Sequence, residues 1–175
     1  MSTLTVKELS HPAGQVIKIA AGKTLDLKTQ GSVTMPTGSI LQVVSTGTDN
    51  SSNISTTSTS LVASGVQVNI VPKQTGSKLH IEWVTPMTYI ASGTYLKAQL
   101  YRNGVGLGST NYSMLHQSGA LGAHYGTTAY SMVYTAGAAG TNILFEPWFM
   151  SNNGGEVRLV HSSSSYLFKV TEVAV

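Results

Sequence analysis

From Leu61 onward, apolar residues recur at every second position, the period that puts side chains on one face of a strand. Val66, Val68 and Ile70 alternate with Gln67 and Asn69. Leu79, Ile81 and Trp83 alternate with His80 and Glu82. Further strand-like runs cover 95–102, 128–135, 142–150, 156–161 and 165–173. Turn chemistry separates them: residues 74–77 (QTGS) join two runs, and Asn103-Gly104 suits a type I′ hairpin, whose two central residues both need positive φ. Residues 152–155 (NNGG) are a second such site. No run keeps a helical period for three turns. About eight short strands at this spacing predict an antiparallel sandwich or jelly roll. Pro147 in LFEPWF (144–149) argues for an edge or bulge there, because proline cannot donate to a ladder.

Upstream, apolar pairs recur with a step of eight residues: Ile17/Ile19, Leu25/Leu27, Val33/Met35 and Leu41/Val43. Glycines at 22, 31 and 38 punctuate them. So narrow an apolar stripe cannot form a core within one chain, but several chains around an axis bury it. The expectation is a short β-stalk over 16–44 with Ile17, Ile19, Leu25, Leu27, Val33 and Met35 as trimer contacts; a plain β-meander is the alternative reading. Residues 1–15, interrupted by Pro12 and Gly14, read as an attachment arm that orders only against a partner. Residues 45–60 are polar and Ser/Thr-rich, a linker or an edge strand near 54–60. The knob is expected over 61–175.

Composition narrows the function. Of 175 residues only 10% are charged, against about a quarter in ordinary globular chains, so polarity rests on Ser, Thr, Asn, Gln and Gly. The net charge of +3 comes without any Lys/Arg run, which argues against a nucleic-acid surface. With no cysteine, disulfides and thiolate metal sites are excluded. No apolar stretch approaches the length of a membrane span, and no signal peptide is read at the start.

An enzyme lacks parts in this sequence. The seven acidic residues are scattered; there is no Gly-x-Ser-x-Gly elbow and no His-Glu-x-x-His motif. Gly104, Gly106 and Gly108 crowd together, but they follow a hairpin turn and open no helix, so they lack the aligned amides that hold phosphate. No cofactor and no metal is expected. His80 and Glu82 share the polar face of their strand, where copies around a three-fold axis could hold an ion; a polar interface pair is the plainer reading. Trp83, Trp148, Phe145, Phe149 and Phe168 read as core or interface aromatics. The glycine-rich region 109–135 collects Asn111, Tyr112, His116, His124, Tyr125 and Tyr130, a set suited to adaptable recognition loops.

Several segments carry a resemblance: GKTLDL (22–27), PTGSILQVV (36–44), STTSTSLV (55–62), VQVNIVPK (66–73), SKL (77–79), LYRNG (100–104), NNGG (152–155) and VTEV (170–173). In this order and spacing, over about four-fifths of the chain, they resemble a domain of tail-fibre-like and structural virion proteins from marine tailed phages. The resemblance implies a trimeric jelly-roll knob on a thin stalk, displayed on capsid or tail, with no shared catalytic set. The chain has only three or four repeats, which favours a capsid cement protein, short head fibre or small tail appendage over a reaching fibre. Its expected partners are two further copies of itself and other virion proteins bound through residues 1–15. The alternative is a host-recognition tip whose knob loops bind a cell-surface glycan. A cellular ligand of the tumour-necrosis-factor-like sandwich type is a third reading, opposed by the missing cysteines and signal sequence.

Overall fold

A computed structural model describes residues 21–22, 35–47, 49–50, 52–108, 115–118, 123–162 and 164–175. The chain divides into two compact units, Met1–Thr34 and Met35–Val175, and nearly all described residues belong to the second. The attachment arm, Ile17, Ile19, Leu25, Leu27 and Val33 lie outside the described residues.

The second unit is all-β. In chain order its strands are β1 (Ile40–Thr46), β2 (Asp49–Asn50), β3 (Ile54–Thr56), β4 (Val62–Ala63), β5 (Val68–Ile70), β6 (Lys78–Ile90) and β7 (Tyr95–Arg102). There follow β8 (Val105–Gly106), β9 (Leu115–Ser118), β10 (His124–Thr135), β11 (Ile143–Ser151), β12 (Val157–Val160), β13 (Ser164–Ser165) and β14 (Leu167–Val173). No helix occurs among the described residues.

Two six-stranded antiparallel sheets carry the structure. The first runs β1-β14-β6-β12-β3, with β10 on the other edge of β6. The thirteen-residue β6 is its axis: β10 lines one edge, while β14 and then β12 share the opposite edge. In the second sheet β11 is flanked by β7 on one side and by β4 and β5 on the other, and β7 carries β8 and β9 on its free edge. One apolar core takes Leu79, Ile81, Trp83, Phe168 and Val170 from the first sheet and Val68, Ile70, Leu96, Leu100, Phe145 and Phe149 from the second. Two curled sheets closing on one core are consistent with a β-sandwich.

The alternation of β6 and β5 thus faces as the sequence implied, with Leu79, Ile81 and Trp83 fully buried. The hairpin prediction also holds: Asn103 (φ 48°) and Gly104 (φ 78°) turn β7 into β8, pairing Arg102 with Val105. Asn103 is locked further, its Oδ1 accepting from the Leu144 amide at 2.8 Å. Gly106 has a packing reason, since a Cβ there would lie 2.5 Å from the Gln99 side chain. Space around Gly104 is open, so Gly104→Ala is strained only in its backbone. We expect a loss of about 1 kcal/mol, read from the urea midpoint at unchanged slope.

Three expectations change. First, residues 40–46 are not the last stalk repeat. They form β1, which pairs with β14 from Ile40↔Val173 to Thr46↔Phe168, with Val44 packed on the core. The pair Leu41/Val43 prolongs the upstream sequence pattern because the two-residue alternation suits a sheet strand equally well. Met35 opens this unit and is 43% exposed. Within the expected linker, Ile54–Thr56 is an edge strand on β12.

Second, the strand holding Pro147 is central. Its carbonyl accepts from the Ser64 amide, so its missing N–H faces the gap between β5, which pairs with 143–145, and β4, which pairs with 148–149. The ladder to β7 loses nothing. Glu146 fills the same gap, accepting from the Gly65 amide at 3.0 Å. Third, NNGG (152–155) turns with positive φ at Gly154 but makes no hairpin: it carries the chain from β11 in the second sheet to β12 in the first.

Candidate functional site

The outer face of the first sheet is built by strict alternation. Each residue that β6 buries leaves its neighbour outside, and the paired strands repeat the pattern in cross-strand rows. One row reads Val43, Thr171, His80, Val133 across β1, β14, β6 and β10. The next reads Ser45, Lys169, Glu82, Ser131, and beyond it lie Leu167, Val84 and Ala129. On the other side, Ile40, Val173, Lys78 and Thr135 complete the face.

Large aliphatic side chains stand exposed along this face. Ile40 is 61% exposed, Val43 53%, Val133 54%, and Val84 and Leu167 42% each. These are half of the exposed large hydrophobics among the described residues. A shallow hollow of about 530 Å³ lies among Ile40, His80, Glu82, Met132, Val133 and Val173. Polar residues stand among them, and some pair within the face: Lys169 Nζ meets Glu82 Oε2 at 2.5 Å. That bond commits the Glu82 carboxylate to a cation beside it. Among the described residues no three His, Asp or Glu side chains come together as a metal site.

A second cluster sits further along the same sheet. Between Thr85 and Thr88, β6 uses three steps where β10 needs only two, from Thr128 to Gly126. This bulge reverses the alternation of β6. Without it Tyr89 would turn toward the core, as Leu79, Ile81 and Trp83 do; with it Tyr89 faces outward opposite Tyr125. Pro86 lies in this stretch, a residue that sheets admit at bulges. Arg158 of β12 pairs with Tyr89 on the other edge, making the row Tyr125, Tyr89, Arg158 across three strands.

The ring centroids of Tyr89 and Tyr125 are 5.1 Å apart, and His161 meets Tyr125 at 5.4 Å, edge to face. The Arg158 guanidinium lies 4.6 Å over the Tyr89 ring. Its Nε and Nη2 both donate to Glu156, at 2.9 Å each. That fork holds the Glu156 carboxyl below its ordinary pKa and raises that of Arg158.

No protein-family model matches this chain, and no curated protein is significantly similar to it. The site therefore rests on its own geometry.

Of the six candidate receptor contacts, Asn111 and Tyr112 lie outside the described residues, and the side chain of His116, on β9, is likewise not described. His124, Tyr125 and Tyr130 stand on β10, a strand and not a loop. Tyr125 joins the aromatic cluster, whereas Tyr130 packs against the core and donates to Met132 Sδ. Burial pushes its hydroxyl pKa up. Sequence reasoning missed Tyr89, Glu156, Arg158 and His161. The one local signal was Pro86 inside an otherwise alternating run.

Proposed function

We propose that this chain is a non-enzymatic structural subunit of a tailed-phage virion, a trimeric jelly-roll knob docked through its N-terminal region as capsid cement, head fibre or tail appendage. The observation that carries the reading is the exposed apolar face of the first sheet. Its five large aliphatic residues expose on the order of 400 Å² of apolar surface, about half of what one partner brings to a standard interface. A chain with so few charges has little else to keep such a face apart from its copies.

Strand order supports the jelly roll. Across the sheets the main strands read β1-β14-β6-β10 and β5-β11-β7-β9, so the chain interleaves two sheets in the manner of paired Greek keys. The sequence resemblance supports the virion setting. Docking by residues 1–15 is tested by deleting residues 2–15, which should leave a folded trimer that no longer enters particles; incorporation at full occupancy would remove the arm from the proposal.

Light scattering of the purified protein should give three times the chain mass. Val133→Glu places a charge on the β10 side of the apolar face and should shift the mass to that of a single chain, with the strand content by circular dichroism retained. A wild-type monomer, or a Val133→Glu protein that stays trimeric, would remove this face from the assembly. Release of reducing ends from bacterial polysaccharide by the pure protein would overturn the non-enzymatic reading.

A further inference from the structure

We propose that the Tyr89–Tyr125–Arg158 row, with Glu156 and His161, is a saccharide-binding platform that takes an uncharged pyranose ring. This goes beyond assembly and does not depend on it: the platform belongs to one chain.

A pyranose offers two kinds of surface, an apolar face of C–H groups and a rim of hydroxyls that both donate and accept. The platform has counterparts for each. Tyr125 is 55% exposed, the most exposed aromatic side chain among the described residues. It is not a loose side chain, because Tyr89 and His161 both pack against its ring. A pre-positioned aromatic loses little freedom when a ligand stacks on it.

The rim partners are also fixed. His161 Nδ1 lies 2.6 Å from the Ser162 carbonyl oxygen, which can only accept. In the neutral ring Nδ1 therefore carries the proton, and Nε2 is an acceptor. Arg158 spends Nε and Nη2 on Glu156 and lies over the Tyr89 ring, which leaves Nη1 outside the fork as a donor.

Charge decides between sugar classes. Glu156 offsets Arg158 within the fork, so the platform presents no net charge for a uronate or sialate to answer. An acidic sugar would find at Nη1 a donor whose positive charge Glu156 already offsets. A neutral hexose meets donors and acceptors and needs no net charge. The β6 bulge gives the arrangement its structural reason: it turns outward a tyrosine that regular alternation would have buried, the kind of re-aiming for which sheets use bulges beside sites.

The test titrates the full chain with methyl pyranosides of glucose, galactose, mannose and N-acetylglucosamine, read by saturation-transfer NMR. At least one should bind with a dissociation constant of about 1–10 mM, the range open to a single ring on a shallow platform. Tyr125→Ala should weaken that binding at least tenfold while melting temperature and light-scattering mass stay as in the wild type. Arg158→Lys, which keeps the charge and loses the fork, should weaken it less than Tyr125→Ala. No binding by any of the four sugars overturns the platform. So does undiminished binding by Tyr125→Ala. A changed mass for Tyr125→Ala with no sugar binding by the wild type would make the cluster a subunit contact, and the proposal would fall while the trimer stood.

Discussion

Trp83→Ala is expected to cost about 3–5 kcal/mol of folding stability, the largest loss from any single side chain of the core. Trp83 lies on the central strand of the first sheet, opposite Phe168 of β14 on one edge and Tyr130 of β10 on the other. Its ring stacks on Tyr166 at 5.4 Å and meets the edge of Phe168 at 5.8 Å. It is fully buried, so truncation leaves a cavity that neighbours on two strands cannot close together. The indole Nε1 has no hydrogen-bond partner among the described residues. Trp83→Phe therefore removes a buried unpaired donor along with some volume, and should cost within about 1.5 kcal/mol. Urea unfolding of the two variants checks both values. Equal losses for alanine and phenylalanine would mean that the ring's bulk is not what the core depends on.

The second large effect is expected at Glu172, whose side chain is fully buried at the end of β14. One carboxylate gathers four donors: Gln42 Nε2 at 2.6 Å, Ser77 Oγ at 2.7 Å, the Lys73 amide at 2.9 Å and the Gln74 amide at 3.1 Å. It ties β1 and the turn before β6 to the last strand. Glu172→Ala strands several of these donors and should cost at least about 3 kcal/mol. Burial pushes the Glu172 pKa up, but the bonds from Ser77, the Lys73 amide, Gln42 and the Gln74 amide outweigh it, and the carboxyl ends below its ordinary value. A depressed folded pKa means stability that is present above the unfolded value, about 4.3, and is lost as pH falls through the folded one. The wild-type melting temperature should thus drop as pH is lowered from about 5 toward 3. Glu172→Gln should start lower at neutral pH and fall less steeply. Parallel curves for the two proteins would show that Glu172 does not carry this dependence.

How much of this was legible varies with the range of the interaction. Strand β7 matches its sequence run because Asn103-Gly104 closes it, and a turn acts over neighbouring residues. The core face of β6 was legible for the same reason: alternation is local. Long-range facts were not. Nothing around residue 172 announces a buried carboxylate, since its partners lie about one hundred residues away in sequence. Strand β10 begins four residues earlier than its run suggested, because Gly126 and the polar residues beside it hide a strand that only pairing with β6 reveals. The outer face was half legible. His80 and Glu82 could be placed on it, whereas Val43, Val133 and Leu167 join them only once the strand order is known. The aromatic platform was illegible because its central tyrosine lies beyond a bulge, where counting by twos gives the wrong face.

Strand β14 has a consequence for synthesis. It lies between β1 and β6, joining a strand made early to the axis of the sheet. While the chain is being made, β1 and residues 78–84 on one edge of β6 therefore stay unpaired until residues 167–173 leave the ribosome. Their exposed amides and carbonyls can meanwhile pair with other nascent chains. Folding of the first sheet is thus a late event, completed by insertion and not by growth from one end. A ribosome stalled before residue 167 would hold a chain with two open edges and Trp83 uncovered on the Phe168 side.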